Sequence, residues 1–314
     1  MNTINRLWNI VARLSVKPFF NRILSDKAQI RLGYRGFVGR PLDLKHSKRF
    51  TEKMQSIKLS PWLRQQSHLT DKWQVRQYVA RRIGTDHLIP LYGISDSATR
   101  IRPDLLPESF ALKYTHDSGS VILFRQNESR NWPQILRRLS RYGNKDYYHS
   151  CREGNYASIR PRILFEKLLL EADGQPPEDY KIFCFHGTPA FIQVDTGRFT
   201  QHRRVMYGTN WQKQPFNICF PLNDLDVKRP EQLNDMLKLA TRLAADIPFV
   251  RVDLYVHGGT IYFGELTFVH GAGYEPFYPD TADEEAGARL MLGDWIHEPT
   301  GALPDSDEPP VYVC

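Results

Sequence analysis

Two acidic residues near the end of the chain could be brought together by one β-hairpin. Asp253 and Glu265 each lie in an apolar run of strand-forming residues, and the Gly258-Gly259 pair between the runs is typical of a hairpin turn. The acids are an even number of residues apart, so a turn with an odd number of loop residues would place both on one side of the ribbon. Two carboxylates that converge beside Arg251 repel each other unless a cation lies between them, which suggests Mg²⁺ together with substrate phosphates. The alternative is a solvent-exposed hairpin face with an Arg–Asp ion pair worth under ~1 kcal/mol.

A second set of residues could bind phosphate. Lys113 lies near the end of an apolar run and precedes a loop, His116 to Val121, that contains Ser118, Gly119 and Ser120. A lysine can reach phosphate oxygens as a point charge, and a loop of small residues exposes backbone N–H groups that hold them. The spacing matches neither a Walker A motif nor a dinucleotide-binding fingerprint. Taken on its own, this segment is better explained as an ordinary tight β-turn.

One carboxylate lies inside an apolar run. Glu166 is flanked by apolar residues from Ile163 to Leu169. Burying a carboxylate without a partner is costly, so Glu166 either faces solvent or accepts hydrogen bonds. Taken alone, it is predicted to form a surface ion pair with Lys167 or Arg162.

The elements that would position these residues alternate between helix and strand from Thr70 onward, which predicts an α+β fold. An amphipathic helix is also predicted near the N-terminus, from Ile4 to Leu14, and it could either lie on a membrane or pack on the body of the protein; packing is favoured. Helices are predicted at 71–83, 132–141 and 230–245, strands at 87–92, 110–114, 122–124, 162–170, 179–185 and 190–194, and a hairpin at 249–268.

The composition suits a folded protein of the cytoplasm. The chain has 314 residues, of which 41% are hydrophobic and 12% aromatic, so it can bury a large core. No run approaches the ~20 apolar residues of a spanning helix, and no secretory signal is recognisable. The four cysteines lack metal-ligand spacing and are predicted to be buried or incidental thiols.

Charge is distributed unevenly along the chain. Residues 1–60 carry a net charge of +10, whereas residues 280–314 carry −8. A basic N-terminal segment implies an anionic neighbour, such as a phosphorylated lipid carrier, an acidic glycan, a membrane surface or nucleic acid. Charge alone does not choose among them.

Taken in order, several segments resemble the TupA-like ATP-grasp family of surface-polysaccharide biosynthesis. The segments are TDKWQVRQYV, FALKYTHDSGSV, RPRILFEKLL, PFVRVDLY and IYFGELTFVHGAGYEPF, and the similarity extends over about residues 40 to 280. The resemblance implies an ATP-grasp fold, in which two α+β subdomains grip ATP. The implied organisation is a basic N-terminal accessory segment at 1–68, an ATP-grasp domain at 69–280 with its nucleotide-gripping subdomain at about 108–177, and an acidic, proline-containing tail at 281–314. The tail after Asp280 is expected to be peripheral.

The resemblance also implies roles for individual residues. Arg251 and Lys113 would be catalytic, and Asp253, Glu265 and Thr267 would hold Mg²⁺. Thr267 stands where ATP-grasp ligases often have asparagine, and its hydroxyl is the weaker ligand. Nucleotide contacts would come from Lys72, Lys113, His116, Asp117, Ser118, Gly119, Ser120, Glu166, Lys167, Leu168, Asp179 and Lys181. Candidates for binding the acceptor carboxylate are Arg152, Arg160, Arg198, His202, Arg203 and His270.

The implied activity is ATP-dependent ligation of a carboxylate to an amine through an acylphosphate. The cofactors would be ATP and Mg²⁺, and the substrates an acidic sugar or peptide carboxylate of a capsule or O-antigen type polymer and an amino acid or other amine. Peripheral contact with the inner membrane or with a lipid-linked glycan is a further expectation.

Two other functions remain open at this stage. One is an ATP-grasp kinase that phosphorylates a glycan or protein. The other is a non-enzymatic module that uses its basic segment to bind anionic glycan or nucleic acid. No RNP-like or helix-turn-helix pattern accompanies the basic residues, so nucleic acid is not the expected partner.

Overall fold

The computed structural model describes residues 3–17, 22–197 and 202–297. Helices in this part of the chain are α1 (Thr3–Ser15), α2 (Asp26–Phe37), α3 (Phe50–Lys58), α4 (Pro61–Gln65), α5 (Ser67–Thr70), α6 (Val75–Ile83), α7 (Trp132–Gly143), α8 (Tyr147–Cys151), α9 (Leu233–Ala244) and α10 (Thr281–Ala288). Strands are β1 (Leu91–Ser95), β2 (Phe110–Tyr114), β3 (Ile122–Phe124), β4 (Ile163–Glu166), β5 (Asp179–Phe185), β6 (Thr188–Thr196), β7 (Arg203–Gly208), β8 (Asn217–Ile218), β9 (Phe249–His257), β10 (Thr260–Thr267) and β11 (Phe277–Tyr278).

The strands form two main antiparallel sheets. The smaller sheet has the order β1-β4-β2-β3, and the larger has the order β10-β9-β5-β6-β7. β8 and β11 pair separately. This mixture of helices and antiparallel sheets agrees with the predicted α+β class.

Each main sheet has its own core. In the smaller sheet, the ring of Phe110 stacks on that of Phe124 with centroids 4.5 Å apart, and α7 contributes the buried Leu139. In the larger sheet every residue of β5 is buried, and α9 packs against β5, β6 and β9. The larger sheet therefore has the more extensive core.

One face of the larger sheet changes from aromatic to charged along its strands. Phe183 of β5 lies opposite Arg251 of β9, and Lys181 lies opposite Asp253. Phe50 of α3 covers the aromatic part, where its ring centroid is 6.4 Å from that of Phe183. The candidate site lies on the charged part.

Parts of the predicted accessory segment and of the predicted tail are built into the core. Phe50 belongs to the main core, although it lies within the predicted accessory segment. The backbone N–H of Thr51 donates to the buried carboxylate of Asp283 in α10 at 2.9 Å. Ala286 and Leu290 are also buried, so the start of the acidic segment is not peripheral, contrary to the expectation for residues after Asp280. Residues 298–314 of that segment lie outside the described residues.

Two element boundaries differ from the prediction. The helix predicted from Asp71 begins only at Val75, since the Asp71 carboxylate accepts hydrogen bonds from the N–H groups of Trp73 and Gln74. The strand predicted at 87–92 lies at Leu91–Ser95.

Candidate active site

The β9–β10 ribbon brings the two predicted metal ligands together. Asp253 and Glu265 are directly opposite each other in the antiparallel pair, so their side chains lie on one face. The route to this register differs from the prediction, because His257 pairs with Thr260 across a two-residue turn. A bulge at Gly264 shifts the register by one residue and places Glu265 opposite Asp253.

Arg251 lies between the two acids. Its guanidinium donates to Asp253 through Nε and Nη2, both at 2.7 Å, and Nη2 also lies 3.3 Å from Glu265 Oε1. Nη2 donates to the Thr267 hydroxyl at 3.0 Å, and Nη1 lies 2.8 Å from Nδ1 of the buried His270. The cation that relieves the repulsion between the carboxylates in this structure is therefore the guanidinium.

A buried lysine completes this arrangement. Lys181 Nζ donates to Asp253 Oδ2 at 2.8 Å and also contacts the Asp179 carboxylate. Burial would lower the pKa of Lys181, but the charges of Asp179 and Asp253 outweigh it and raise the pKa. Burial would likewise raise the pKa of Asp253, yet Arg251 and Lys181 hold it below its ordinary value. Both shifts favour the charged forms of Lys181 and Asp253.

The donor set at the ribbon fits a hard cation. Asp253, Glu265 and Thr267 offer only oxygen atoms, and the Glu265 side chain is 38% exposed, whereas Asp253 is 1% exposed. Within the described ranges, no group of three or more His, Cys, Asp or Glu residues forms a metal-binding cluster. A magnesium ion here would thus take part of its coordination from substrate phosphate oxygens, as is usual for this ion.

Glu166 is buried on the smaller sheet and is neutralised by two cations. Its carboxylate lies 2.6 Å from Lys113 Nζ and 3.3 Å from Arg76 Nη1. The predicted surface pairing with Lys167 or Arg162 is therefore wrong. Lys167 is exposed and its backbone N–H donates to the carbonyl of Pro90, while Leu168 is half-buried.

The loop after β2 is held by its own side chains. The Ser120 hydroxyl donates to the Asp117 carboxylate and accepts from the backbone N–H of Tyr114 at 3.0 Å. His116 and Asp117 are buried, whereas Ser118 and Gly119 are exposed at the tip. Gly119 has a φ of +98°, which a side chain would strain.

Lys72 links this loop to the ribbon. Its Nζ donates to the carbonyl oxygen of Asp117. Burial lowers the pKa of Lys72, the charge of Glu265 counteracts this, and the charge of Lys113 adds to it. Lys72, Lys113 and Glu265 therefore lie within electrostatic reach of one another, although they come from different elements.

A comparison of the chain with protein families agrees with this arrangement of residues. The model of the TupA-like ATP-grasp family matches residues 52–291, which is more than half of the chain. The chain belongs to the TupA-like ATP-grasp family. Membership confirms the expected family and the ATP-grasp fold, and it supports an ATP-dependent ligase.

Comparison with other known proteins gives only distant likenesses. No curated protein matches the chain. Among solved structures, ATP-grasp ligase PsnB in complex with minimal precursor is 11% identical with a TM-score of 0.34, over 66% of this chain and 53% of PsnB. D-alanine–D-alanine ligase from Bacillus anthracis is 11% identical with a TM-score of 0.40, over 71% and 64%. D-cycloserine synthetase DcsG is 13% identical with a TM-score of 0.36, over 71% of each chain. The chain thus spans less than two thirds of the length of PsnB and of the D-alanine–D-alanine ligase. These structural similarities are too weak to add to the family match.

The predicted acceptor-binding residues of this TupA-like protein do not gather at one point. Arg152 is buried and donates to Gln29 Oε1 and to the carbonyl of Leu24, both at 2.9 Å, while its Nη1 lies 3.0 Å from Asp26. Arg152 therefore connects the end of α8 to the N-terminal segment through hydrogen bonds and an ion pair.

The other candidates are distributed over several places. Arg160 and Arg203 are exposed and lie 3.4 Å from Asp96 and 2.9 Å from Asp224, respectively. His270 contacts Arg251 at the ribbon, as described above, and His202 lies 3.3 Å from Asp195. Arg198 lies outside the described residues.

Several polar residues of the site were not predicted. Arg204 of β7 donates to Asp195 of β6 at 2.7 Å and to Glu275 at 2.7 Å, and Glu275 lies 3.0 Å from His270 Nε2. The alternation of polar residues along β6, with Gln193 and Asp195 two apart, was the available signal. Lys58 and Glu153 were also missed, because no motif surrounds them.

Proposed function

We propose that this protein is an ATP-dependent carboxylate–amine ligase that forms an amide through an acylphosphate. The observation that carries the proposal is the ribbon geometry, in which Asp253 and Glu265 lie opposite each other beside Arg251, with Lys72 within electrostatic reach of Glu265. The family match supports it.

The residues divide the binding of Mg-ATP between the two sheets. Lys72, Lys113 and the N–H groups at the tip of the 116–121 loop would contact the phosphates, and the segment from Glu166 to Leu168 would lie along the base. Asp253, Glu265 and the Thr267 hydroxyl would hold Mg²⁺, which supplies charge neutralisation at the transferred phosphoryl group. Asp179 and Lys181 would hold the Asp253 carboxylate in position, because both are buried in its ion-pair network.

The chemistry needs no protein nucleophile. An oxygen of the substrate carboxylate forms a bond to the γ-phosphorus of ATP, the bond from that phosphorus to the β–γ bridging oxygen breaks, and ADP leaves. The amine nitrogen then forms a bond to the acyl carbon, and phosphate leaves with the electron pair of the broken C–O bond. Arg251 and Lys113 would neutralise charge on the phosphoryl group during transfer.

The charge distribution supports a proposal for the substrate class. We propose an acidic sugar or peptide carboxylate of a cell-surface polysaccharide as the acid, because the net charge of +10 over residues 1–60 suits a polyanionic substrate. An amino acid or another amine would be the second substrate.

An ADP-release assay tests the activity. Purified protein with Mg-ATP is supplied with D-glucuronate or D-galacturonate, with and without hydroxylamine, which traps an acylphosphate as a hydroxamate. The ligase predicts acid-dependent hydroxamate. ADP release with one acceptor and a stable phosphorylated product would instead establish the kinase alternative.

The N-terminal helix suggests where the enzyme works. No helix among the described residues is both long and apolar enough to pass through a bilayer. α1 packs on α2 through Ala12, next to Gly36, while Leu7, Ile10 and Leu14 are 62%, 55% and 47% exposed. We therefore propose a cytoplasmic enzyme whose α1 contacts the anionic inner face of the membrane.

Sedimentation with lipid vesicles tests this contact. The full chain should sediment with phosphatidylglycerol vesicles and much less with phosphatidylcholine vesicles. Replacing Leu7, Ile10 and Leu14 together by serine should abolish sedimentation without changing ADP release. Equal sedimentation of the wild type and the triple variant would contradict the proposal.

A further inference from the structure

A histidine and a glutamate in the turn after β10 contact one end of the Arg251 side chain, and the ligase chemistry above leaves both without a role. His270 is 3% exposed, and its Nδ1 lies 2.8 Å from Arg251 Nη1. On the other side of the ring, its Nε2 lies 3.0 Å from Glu275 Oε2. Each ring nitrogen therefore faces a polar partner within the protein, which favours a role there over the predicted contact with the acceptor carboxylate.

These contacts determine the tautomer of His270. A guanidinium can only donate hydrogen bonds, so Nδ1 of His270 must accept one and carries a lone pair. The proton of the neutral ring is then on Nε2, where the Glu275 carboxylate can accept it. Burial also lowers the pKa of His270. The charge of Glu275 counteracts this, whereas those of Arg251 and Arg204 add to it, so the neutral ring is favoured at pH 7.

Glu275 is held in place by Arg204 and by the shape of the turn. Arg204 Nη1 donates at 2.7 Å to Glu275 Oε2, the same oxygen that faces His270. Gly271 has a φ of +54°, and a side chain at this position would collide with Cγ and Cδ of Glu275. Glycine at position 271 therefore allows the turn to bring Glu275 back onto the histidine ring.

His270 is the acceptor of Arg251 that a metal ion would leave alone. The other acceptors are oxygen atoms of the residues proposed to hold Mg²⁺, namely Asp253, Glu265 and Thr267. An oxygen lone pair that is given to a cation is no longer available to the guanidinium. A hard cation prefers oxygen to the nitrogen of a neutral imidazole, so the contact of His270 with Arg251 does not compete with metal binding.

We infer that His270 and Glu275 are positioning residues, which hold the Arg251 guanidinium toward the transferred phosphoryl group while the acids of the ribbon hold magnesium. Glu275 accepts the Nε2 proton of His270, and Nδ1 of His270 accepts an N–H of Arg251. The inference rests on the proposed ligase function, in which Arg251 neutralises charge on the phosphoryl group. Both residues act through Arg251 and do not touch the substrate, so their loss should lower kcat more than it raises KM for ATP.

Matched variants at position 270 separate positioning from packing. His270→Asn keeps an acceptor, Oδ1, near the position of Nδ1, whereas His270→Leu has no acceptor. ADP release is measured with Mg-ATP, D-glucuronate or D-galacturonate, and hydroxylamine. His270→Leu should lower kcat about 10- to 100-fold with KM for ATP within about 2-fold. His270→Asn should keep kcat within about 3-fold of the wild type.

Variants at position 275 test the other half of the pair. Glu275→Gln keeps an oxygen that can accept from both Arg204 and His270, whereas Glu275→Met removes it. Arg204 retains its contact with Asp195 at 2.7 Å in either variant, so the fold should persist. Glu275→Met should lower kcat about 10-fold, and Glu275→Gln by no more than about 3-fold.

A spectroscopic measurement tests the tautomer independently of turnover. Long-range ¹H–¹⁵N correlation spectra of the histidine rings in the full chain distinguish the Nε2–H, Nδ1–H and doubly protonated forms. The signals of His270 are those that His270→Asn lacks. At pH 7 the wild type should show His270 as the Nε2–H tautomer.

Two controls accompany the variants. His257→Leu removes a histidine that lies 3.2 Å from Glu171 at the end of β9, and it should leave kcat unchanged. Urea unfolding followed by circular dichroism identifies any variant that is inactive because it is unfolded. If His270→Leu does not fold, the two variants at position 275 and the spectra of the wild type decide the outcome.

Several results would overturn the inference. A folded His270→Leu or Glu275→Met with the kcat of the wild type would remove the positioning role, and equal losses of kcat in His270→Asn and His270→Leu would show a packing role. An Nδ1–H or doubly protonated His270 at pH 7 would contradict the contacts with Arg251 and Glu275. The absence of both ADP release and hydroxamate in the wild type would instead reject the ligase function, and the positioning role with it.

Discussion

The ribbon and the buried residues Lys58 and Glu153 differ in how their charges are held. At the ribbon, Arg251 and Lys181 contact Asp253 directly at 2.7 and 2.8 Å, so opposite charges are paired. Lys58, by contrast, donates to the carbonyl of Ala272 and lies 4.2 Å from the ring centroid of Tyr274, and burial raises the pKa of Glu153 to about 7. A preorganised ion-pair network can neutralise charge that develops during phosphoryl transfer, whereas burial alone disfavours the ionised form of a side chain.

The largest effect should follow from breaking the paired region. Arg251→Met leaves the buried Asp253 with only Lys181, which should destabilise the protein by about 3–5 kcal/mol and abolish turnover. Urea unfolding followed by circular dichroism measures the stability, and ADP release measures turnover. A variant with unchanged stability would contradict the view that Arg251 holds the ribbon charges together.

A smaller effect is expected at the ion pair of the smaller sheet. Lys113→Met leaves Glu166 with Arg76 at 3.3 Å, so the fold should persist while KM for ATP rises about 10- to 100-fold. Steady-state ADP release checks the KM, with Lys238→Met as the surface control. An unchanged KM would remove Lys113 from the phosphate contacts.

The smallest effect is expected at Glu153, and it concerns the free energy of unfolding. Because folding raises the pKa of Glu153 from 4.5 to about 7, its favourable contribution is complete below pH 4.5 and is lost as the pH rises through about 7. Glu153→Gln should therefore gain stability relative to the wild type at pH 8 compared with pH 5. Thermal unfolding at the two pH values measures the difference.

The sequence predicted the two regions to different extents. Alternation along β9 placed Arg251 and Asp253 on one face, and the ordered motifs indicated the family that the match confirms. The prediction that Asp253 and Glu265 share one face was correct, but the predicted cause was partly wrong. A bulge at Gly264 produces the register, and not a turn with an odd number of residues.

The burial of Lys58 and Glu153 could not be predicted, because the two residues are far apart in sequence. Lys58 and Glu153 come from segments without a recognisable motif, and only the packing of α3 against the turn after β10 brings Lys58 to Ala272. Glu166 was misjudged for a similar reason: its partners, Lys113 and Arg76, are distant in sequence, whereas the predicted partners were neighbours. Long-range contacts of this kind leave no periodic pattern.

The central claim is that Asp253 and Glu265 hold magnesium against the terminal phosphates of ATP. Isothermal titration calorimetry of ATP with and without Mg²⁺, on the wild type and on Glu265→Gln, tests it most directly. Tight binding by the wild type only with Mg²⁺, together with loss of this magnesium dependence in a fully folded Glu265→Gln, is the expected result. Magnesium-dependent ATP binding that is the same in both proteins, or no ATP binding by the wild type, would contradict the account.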